Sequence, residues 1–345
     1  MPAISLDQYE KVLEYVVLGL HEPIMVVGQA GVGKTQKTEQ FCERVDAYLC
    51  TCILGQYDTV DMRGTPWDAD IGGGYHATVW RPASTLPFKG NPNFPKDKPI
   101  ILFFDERTSA TVPVLGVCYQ IVDKRRVGEH ELMDNVYIVS AGNREMDKGI
   151  VTRQPLPLCN RETWYEVGSN VDQWCIWATQ KYGAKAAIFV AFLQFRKPLI
   201  CTYDPAKSEK NFASPRTIEK ALKYYLSDMP QDIKQASIAG AVGGGWAAEF
   251  WGFVDSWAEI AKMMPAIAAN PLTAEIPAEL SLQYAVAIAI SGTLTEKNAR
   301  VFHPYLVRML PEFAVLAWHM AVKRDEALFE TDEFLDFSHR YKVVF

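Results

Sequence analysis

The chain has 345 residues, 49% of them hydrophobic, and a formal net charge of −6, with an isoelectric point near 5.6. That length accommodates two domains with cores of their own. The acidic balance excludes a strong overall pull toward nucleic acid or anionic membrane, though not a local basic pore.

Seven scattered cysteines (Cys42, Cys50, Cys52, Cys118, Cys159, Cys175 and Cys201) fit reduced thiols in a cytosol better than a disulfide framework. Met1–Asp7 carries no basic segment followed by an apolar one, so no signal peptide is expected. The longest uncharged stretches, Gln235–Ala248 and Leu280–Thr295, fall short of the roughly 18–20 apolar residues of a membrane span. They read as buried helices, and a cytoplasmic protein without membrane contact is expected.

In chain order, Asp7–Leu20 places Tyr9, Val12, Leu13, Val16, Val17 and Leu20 at helical spacing. Ile24–Val27 is a short apolar run that stops at Gly28, which suits a buried strand, and Lys34–Val45 follows as a helix. Further strands are expected at Ala47–Ile53, Ile100–Phe104, Val136–Ala141 and Thr163–Val167, with a helix at Val114–Val122. Strands alternating with helices argue for a parallel five-stranded sheet covered by helices on both faces. The Gly- and Pro-rich segment Gly55–Lys98 is expected to hold loops and a small hairpin turning at Gly72–Gly74. From about Ser169 helical patterns take over. The expected organisation is an α/β core over 1–168, a helical lid over 169–230 and a helical extension over 231–345.

Gly28-Gln29-Ala30-Gly31-Val32-Gly33-Lys34-Thr35, with Gln36 next, matches the phosphate-loop pattern at every fixed position, between a strand and a helix. Its glycines let backbone N–H groups wrap a phosphate. Lys34 would reach the β and γ phosphates, and the Thr35 hydroxyl would hold Mg²⁺. The apolar run Ile100–Phe104 ends in Asp105 and Glu106. Asp105 would join the metal's shell and Glu106 would polarise the attacking water. Val136–Ala141 leads to Asn143, whose amide both donates and accepts and suits a water-positioning or γ-phosphate-sensing role.

These motifs resemble the AAA+ ATPases, and within them the MoxR-type branch, over roughly residues 10–225. The resemblance rests on Gly28–Thr35, Ile100–Glu106, Ala141–Asn143, Pro157–Arg161 and Ala213–Arg216, and Tyr57–Gly64 looks like a stretch of that branch. It implies a homo-oligomeric ring, usually a hexamer, that binds ATP and Mg²⁺ between neighbouring subunits. By the same resemblance Asn143 matches a first sensor and Arg161 the arginine finger offered to a neighbour. Arg216 matches a second sensor, on the lid. Arginine suits both roles because its planar fork stays charged and binds phosphate oxygens in two places.

Two departures bear on those roles. Glu162 follows Arg161 where relatives often have an aromatic residue, and a carboxylate there is placed to pair with Arg161 and weaken its aim, so Arg153 and Arg144 stand as rival fingers. After Glu106 the family's Asn-Arg-Ala is replaced by Thr108-Ser109-Ala110, with Arg107 as a substitute for the missing arginine.

Other signals read as structural. Cys50 and Cys52 share one face of a strand and belong to a core. The six histidines have no metal spacing, and Gly243–Gly245 lacks the Lys-Ser/Thr of a phosphate loop and reads as a helix junction. Trp246, Phe250, Trp251, Phe253 and Trp257 read as helix core. Lys124–Arg126 reads as a solvated hairpin after a helix, although in this branch such hairpins can face a central pore.

The expected function is a chaperone-like motor acting on a protein client, relatives commonly working with a partner that bears a von Willebrand factor A domain. A nucleic-acid motor or loader and an ATP-gated assembly scaffold are the alternatives.

Overall fold

Every residue of Ile24–Gly28 is buried, as expected of an apolar run in a strand with neighbours on both sides and cover on both faces. The protein's computed structural model describes residues 1–147, 152–206 and 210–341, apart from the side chains at 184, 256–258, 261 and 281. The chain gathers into two compact units. The first is Met1–Asn170 with Tyr203–Glu209 and Ser214–Arg216, and the second is Val171–Thr202, Lys210–Ala213 and Thr217–Phe345.

The first unit runs β1 (Ala3–Ile4), α1 (Leu6–Val12, continued by π-helical turns over Leu13–Gly19), β2 (Ile24–Gly28), α2 (Lys34–Arg44), β3 (Tyr48–Ile53) and α3 (Thr59–Arg63). Next come β4 (Thr65–Asp70), β5 (His76–Arg81), β6 (Ile100–Asp105), α4 (Val112–Lys124), β7 (Arg126–Val127) and β8 (His130–Glu131). It closes with β9 (Val136–Gly142), α5 (Leu156–Cys159) and β10 (Thr163–Val167).

The main sheet is parallel throughout, in the order β1-β10-β2-β9-β6-β3. It has six strands where five were expected. The additional one, Ala3–Ile4, is too short to show a pattern in sequence. It exists because its backbone pairs with Glu166 and Val167 at the free edge of β10.

Both faces of the sheet are buried. Along β6, Ile100, Leu102 and Phe104 enter one apolar cluster with α4, while Ile101 and Phe103 enter the other with Phe41 of α2. This is the two-residue alternation of a strand with cover on either side. β2, β9 and β6 end close together, since Val27 pairs with Gly142 and Phe104 with Ser140. Phosphate loop, Asp105 and Asn143 therefore leave the sheet at one edge, where ligands bind in open α/β sheets. The expected hairpin is β4–β5, and its glycines 72, 73 and 74 all take positive φ.

The second unit is helical: α6 (Val171–Tyr182), α7 (Ala187–Phe195), α8 (Pro215–Leu226, whose first two residues count with the first unit), α9 (Gln231–Val242) and α10 (Gly244–Ala269). α11 (Leu280–Thr293), α12 (Ala299–Arg308), α13 (Pro311–Arg324) and α14 (Asp332–Tyr341) complete it. One apolar core runs from Val171 to Phe337 and takes in both the segment read as a lid and that read as an extension. Trp246, Phe250 and Phe253 are buried in it and Trp251 packs against it, while the Trp257 side chain lies outside the described residues. Gly243, at φ 95°, joins α9 to α10 as a helix junction.

Among the described residues, no helix is long and apolar enough to cross a membrane. All seven cysteines are free thiols. Burial pushes those of Cys42, Cys118 and Cys175 up to about 12, which makes them unreactive.

Candidate phosphate and metal site

Gly31 and Gly33, with φ of 79° and 110°, give the loop between β2 and α2 a curvature that side-chain-bearing residues resist. Gly28 is required for a different reason, because a Cβ there would lie 2.4 Å from the Val167 carbonyl oxygen on β10. Val32 is buried and anchors the loop. Gly33 caps α2 without a side-chain hydrogen bond, so the first-turn N–H groups of that helix face the site with their partial positive charge.

Lys34 is buried, and its Nζ donates to the carbonyls of Gly28 at 2.8 Å and Gln29 at 3.2 Å. Burial pushes its ammonium down to about 8; Asp105 and Asp147 oppose that shift, and the Arg216 and Arg144 charges add to it. Gln36, the third residue of α2, immediately precedes Lys37, whose N–H bonds the Gly33 carbonyl.

Asp105 is the hub of the site. Its Oδ2 accepts the Thr35 hydroxyl at 2.8 Å and its Oδ1 accepts the Glu106 backbone N–H at 2.9 Å. Glu106 takes left-handed backbone angles (φ 51°, ψ 30°), unusual for a residue with a Cβ. The turn is closed by the Ser109 N–H on the Glu106 carbonyl at 2.8 Å. Glu106 is exposed, and its Oε2 would lie 3.4 Å from a Cβ built on Gly55, beyond the end of β3.

Asn143 leaves β9 with its backbone N–H donated to Thr108 Oγ1 at 2.9 Å. The approach is close enough that a Cβ on Gly142 would lie 2.5 Å from Thr108 Cγ2. Arg216 sits at the phosphate loop, its backbone N–H donating to the Gly31 carbonyl at 3.2 Å. Expected on the lid, it counts by its contacts with the first unit.

Arg161 lies elsewhere. Its Nε donates to Asp123 of α4 at 2.6 Å and its Nη1 to the Pro157 carbonyl at 2.7 Å, with the guanidinium 4.7 Å from the Tyr119 ring centre. The side chain keeps 34% exposure. Of its rivals, Arg144 is tied to Asp147 and Glu166, and Arg153 is exposed.

Three sequence expectations need correction. Glu162 does not pair with Arg161; it pairs with Arg107 at 2.5 Å, both side chains fully buried. Arg107 is therefore no surface substitute for the arginine missing after Thr108, because its side chain is folded under the sheet edge and also donates to Ser140 Oγ at 2.9 Å. Arg125 is not a solvated turn residue either. It is half-buried and donates to the carbonyls of Met133 and Val136, at 3.1 and 2.9 Å. The Lys124–Arg126 cluster is further consumed by Arg126 on the Gly128 carbonyl and Lys124 beside Asp123. No periodicity announces the Arg107–Glu162 pair; an arginine and a glutamate flanking two motif residues are the only sequence trace of it.

The oxygen set at Thr35 and Asp105, a hydroxyl and a carboxylate in contact beside a lysine, has the hard-donor chemistry that Mg²⁺ prefers when phosphates complete its shell.

No family model and no curated protein matches the chain. Among solved structures, NtrX from Brucella abortus in complex with ADP aligns over 98% of this chain and 68% of its own, at 14% identity and a TM-score of 0.34. A mutant RuvB from Thermotoga maritima aligns over 88% of this chain and 89% of its own, at 13% identity and a TM-score of 0.40. Likeness that loose bears on neither family nor activity.

Proposed function

We propose that the chain is an AAA+ ATPase of the MoxR type, hydrolysing Mg-ATP within a homo-oligomeric ring, a hexamer, to remodel a protein client. One observation carries this reading: Thr35 and Asp105, 70 residues apart in sequence, are hydrogen-bonded at the mouth of a complete phosphate loop, with Glu106 on the adjoining turn.

In this reading the loop amides and Lys34 bind the β and γ phosphates, and Lys34 exchanges its carbonyl partners for phosphate oxygens. Thr35 and Asp105 would hold the Mg²⁺, which would supply neutralisation of the phosphate charge. Glu106 accepts a proton from the attacking water, and Asn143, one strand away, orients that water. Arg216 acts on the nucleotide of its own chain. Arg161, aimed by Asp123 and Tyr119, acts on that of a neighbour, which makes hydrolysis depend on assembly.

A protein client is favoured over nucleic acid because the arginines of the basic cluster Lys124–Arg126 are bonded to backbone carbonyls of their own chain. A von Willebrand factor A domain partner belongs to the same proposal. Electron microscopy with a slowly hydrolysed ATP analogue tests it: rings with nucleotide at the subunit seams are expected, and a monomer that hydrolyses ATP at full rate would overturn the shared site.

A further inference from the structure

Arg107 directly follows Glu106, and Glu162 directly follows Arg161. Both side chains are nonetheless fully buried, and they meet beneath the sheet edge. We propose that the Arg107–Glu162 pair is a positioning device that fixes the Glu106 turn and the Arg161 segment relative to one another. The carboxylate that serves a chain's own nucleotide and the arginine offered to a neighbour are thereby set together. This rests on the function proposed above.

Three observations support it. The turn after β6 is pinned at successive residues: Asp105 by Thr35, Arg107 by Glu162 and Ser140, and Thr108 by the Asn143 N–H. Glu106 holds its left-handed backbone between two of these anchors, and a strained conformation persists only where its surroundings over-determine it. Next, the pair is poorly built for stability alone. Only Nη1 of Arg107 engages Glu162, while Arg107 Nε and Nη2 and Glu162 Oε2 are buried without partners among the described residues. An apolar pair of similar volume often serves stability equally well, so a half-satisfied one calls for another reason. Finally, the link is double. α4 follows from the same turn, and its Asp123 holds Arg161 at 2.6 Å. The segment from Asp105 to Lys124 is thus tied near each of its ends to the adjacent residues Arg161 and Glu162.

Arg107 and Glu162 touch no reacting atom, so they are positioning residues. The test is the double substitution Arg107→Met with Glu162→Leu in the full-length protein, with kcat and KM for ATP measured alongside thermal melting. The expected result is a kcat at least ~10-fold lower, the scale of a displaced catalytic group, with KM within about twofold and melting close to wild type. Adding Glu106→Gln should shrink the further loss, because the part that acts through Glu106 has nothing left to position and only the part through Arg161 remains; a general packing defect would lower both backgrounds alike. Unchanged kcat in a folded double variant, or equal losses in both backgrounds, overturns the inference. Should the double variant lose cooperative melting, Arg107→Lys decides. It keeps the charge without the planar fork, and several-fold loss of kcat at unchanged KM supports positioning, while wild-type kcat refutes it. If the wild-type chain hydrolyses no ATP, the parent reading falls and takes this one with it. If it does hydrolyse ATP and the pair is inert, this inference falls alone.

Discussion

The Thr35 hydroxyl donates a 2.8 Å hydrogen bond to Asp105, joining the first turn of α2 to the end of β6. The same carboxylate takes the Glu106 N–H with its other oxygen, so phosphate loop, metal-type oxygens and candidate base form one bonded unit.

Lys34→Ala should abolish ATP binding, and retained micromolar affinity would refute the loop assignment. Wild-type affinity should also depend on pH. Burial lowers the Lys34 ammonium to about 8 in the nucleotide-free protein, and a bound triphosphate favours the charged form. Affinity is then full below about pH 8 and falls by up to about tenfold per pH unit above it. Calorimetric titration across pH 7–10 reads this directly, and a flat profile would count against Lys34 as a phosphate ligand.

Glu106→Gln should leave nucleotide binding intact, trap ATP-bound assemblies and lower turnover by at least ~10²-fold, the scale of losing a positioned base. Near-wild-type phosphate release would move the base elsewhere.

Arg161 can be tested by mixing. Arg161→Ala subunits, inactive alone, should recover partial turnover when co-assembled with Lys34→Ala subunits, because each supplies what the other lacks. Mixed rings without recovery would move the finger elsewhere, with Arg153 and Arg144 as the rivals, or refute a shared site. Asp123→Asn should lower turnover in the same direction, since Asp123 aims Arg161 through its Nε.

Gly142→Ala should destabilise the first unit. The added methyl would lie 2.5 Å from Thr108 Cγ2 and 2.6 Å from its Oγ1, and overpacking of this kind costs about 1–3 kcal/mol. Thr108 would have to move, and its bond to the Asn143 N–H would move with it. A melting temperature equal to wild type would contradict the close approach.

Breaking the buried pair from one side should cost more than replacing both partners. Arg107→Met alone strands the Glu162 carboxylate, and losses of about 3–5 kcal/mol are usual for such a change. Denaturant melts of the single and double variants check the ordering: the single must be the less stable of the two.

What the sequence alone determined is local. The phosphate loop, the apolar run into Asp105 and Glu106, and the strand before Asn143 were legible because each depends on neighbours a few residues away: a strand's alternation, a glycine's φ, a helix's period. The Gly72–Gly74 hairpin and the Gly243 junction were legible for the same reason. The tertiary structure decided which charges meet. Arg107 and Glu162 lie 55 residues apart and became partners only because β6, β9 and the approach to β10 bring their ends under one edge. In the same way Arg161 was taken by Asp123, and Ala3–Ile4 became a strand because β10 had a free edge. Pairing of buried charges and of short edge strands carries no periodic signature, since its energy lies in desolvation and contact across the fold rather than along the chain.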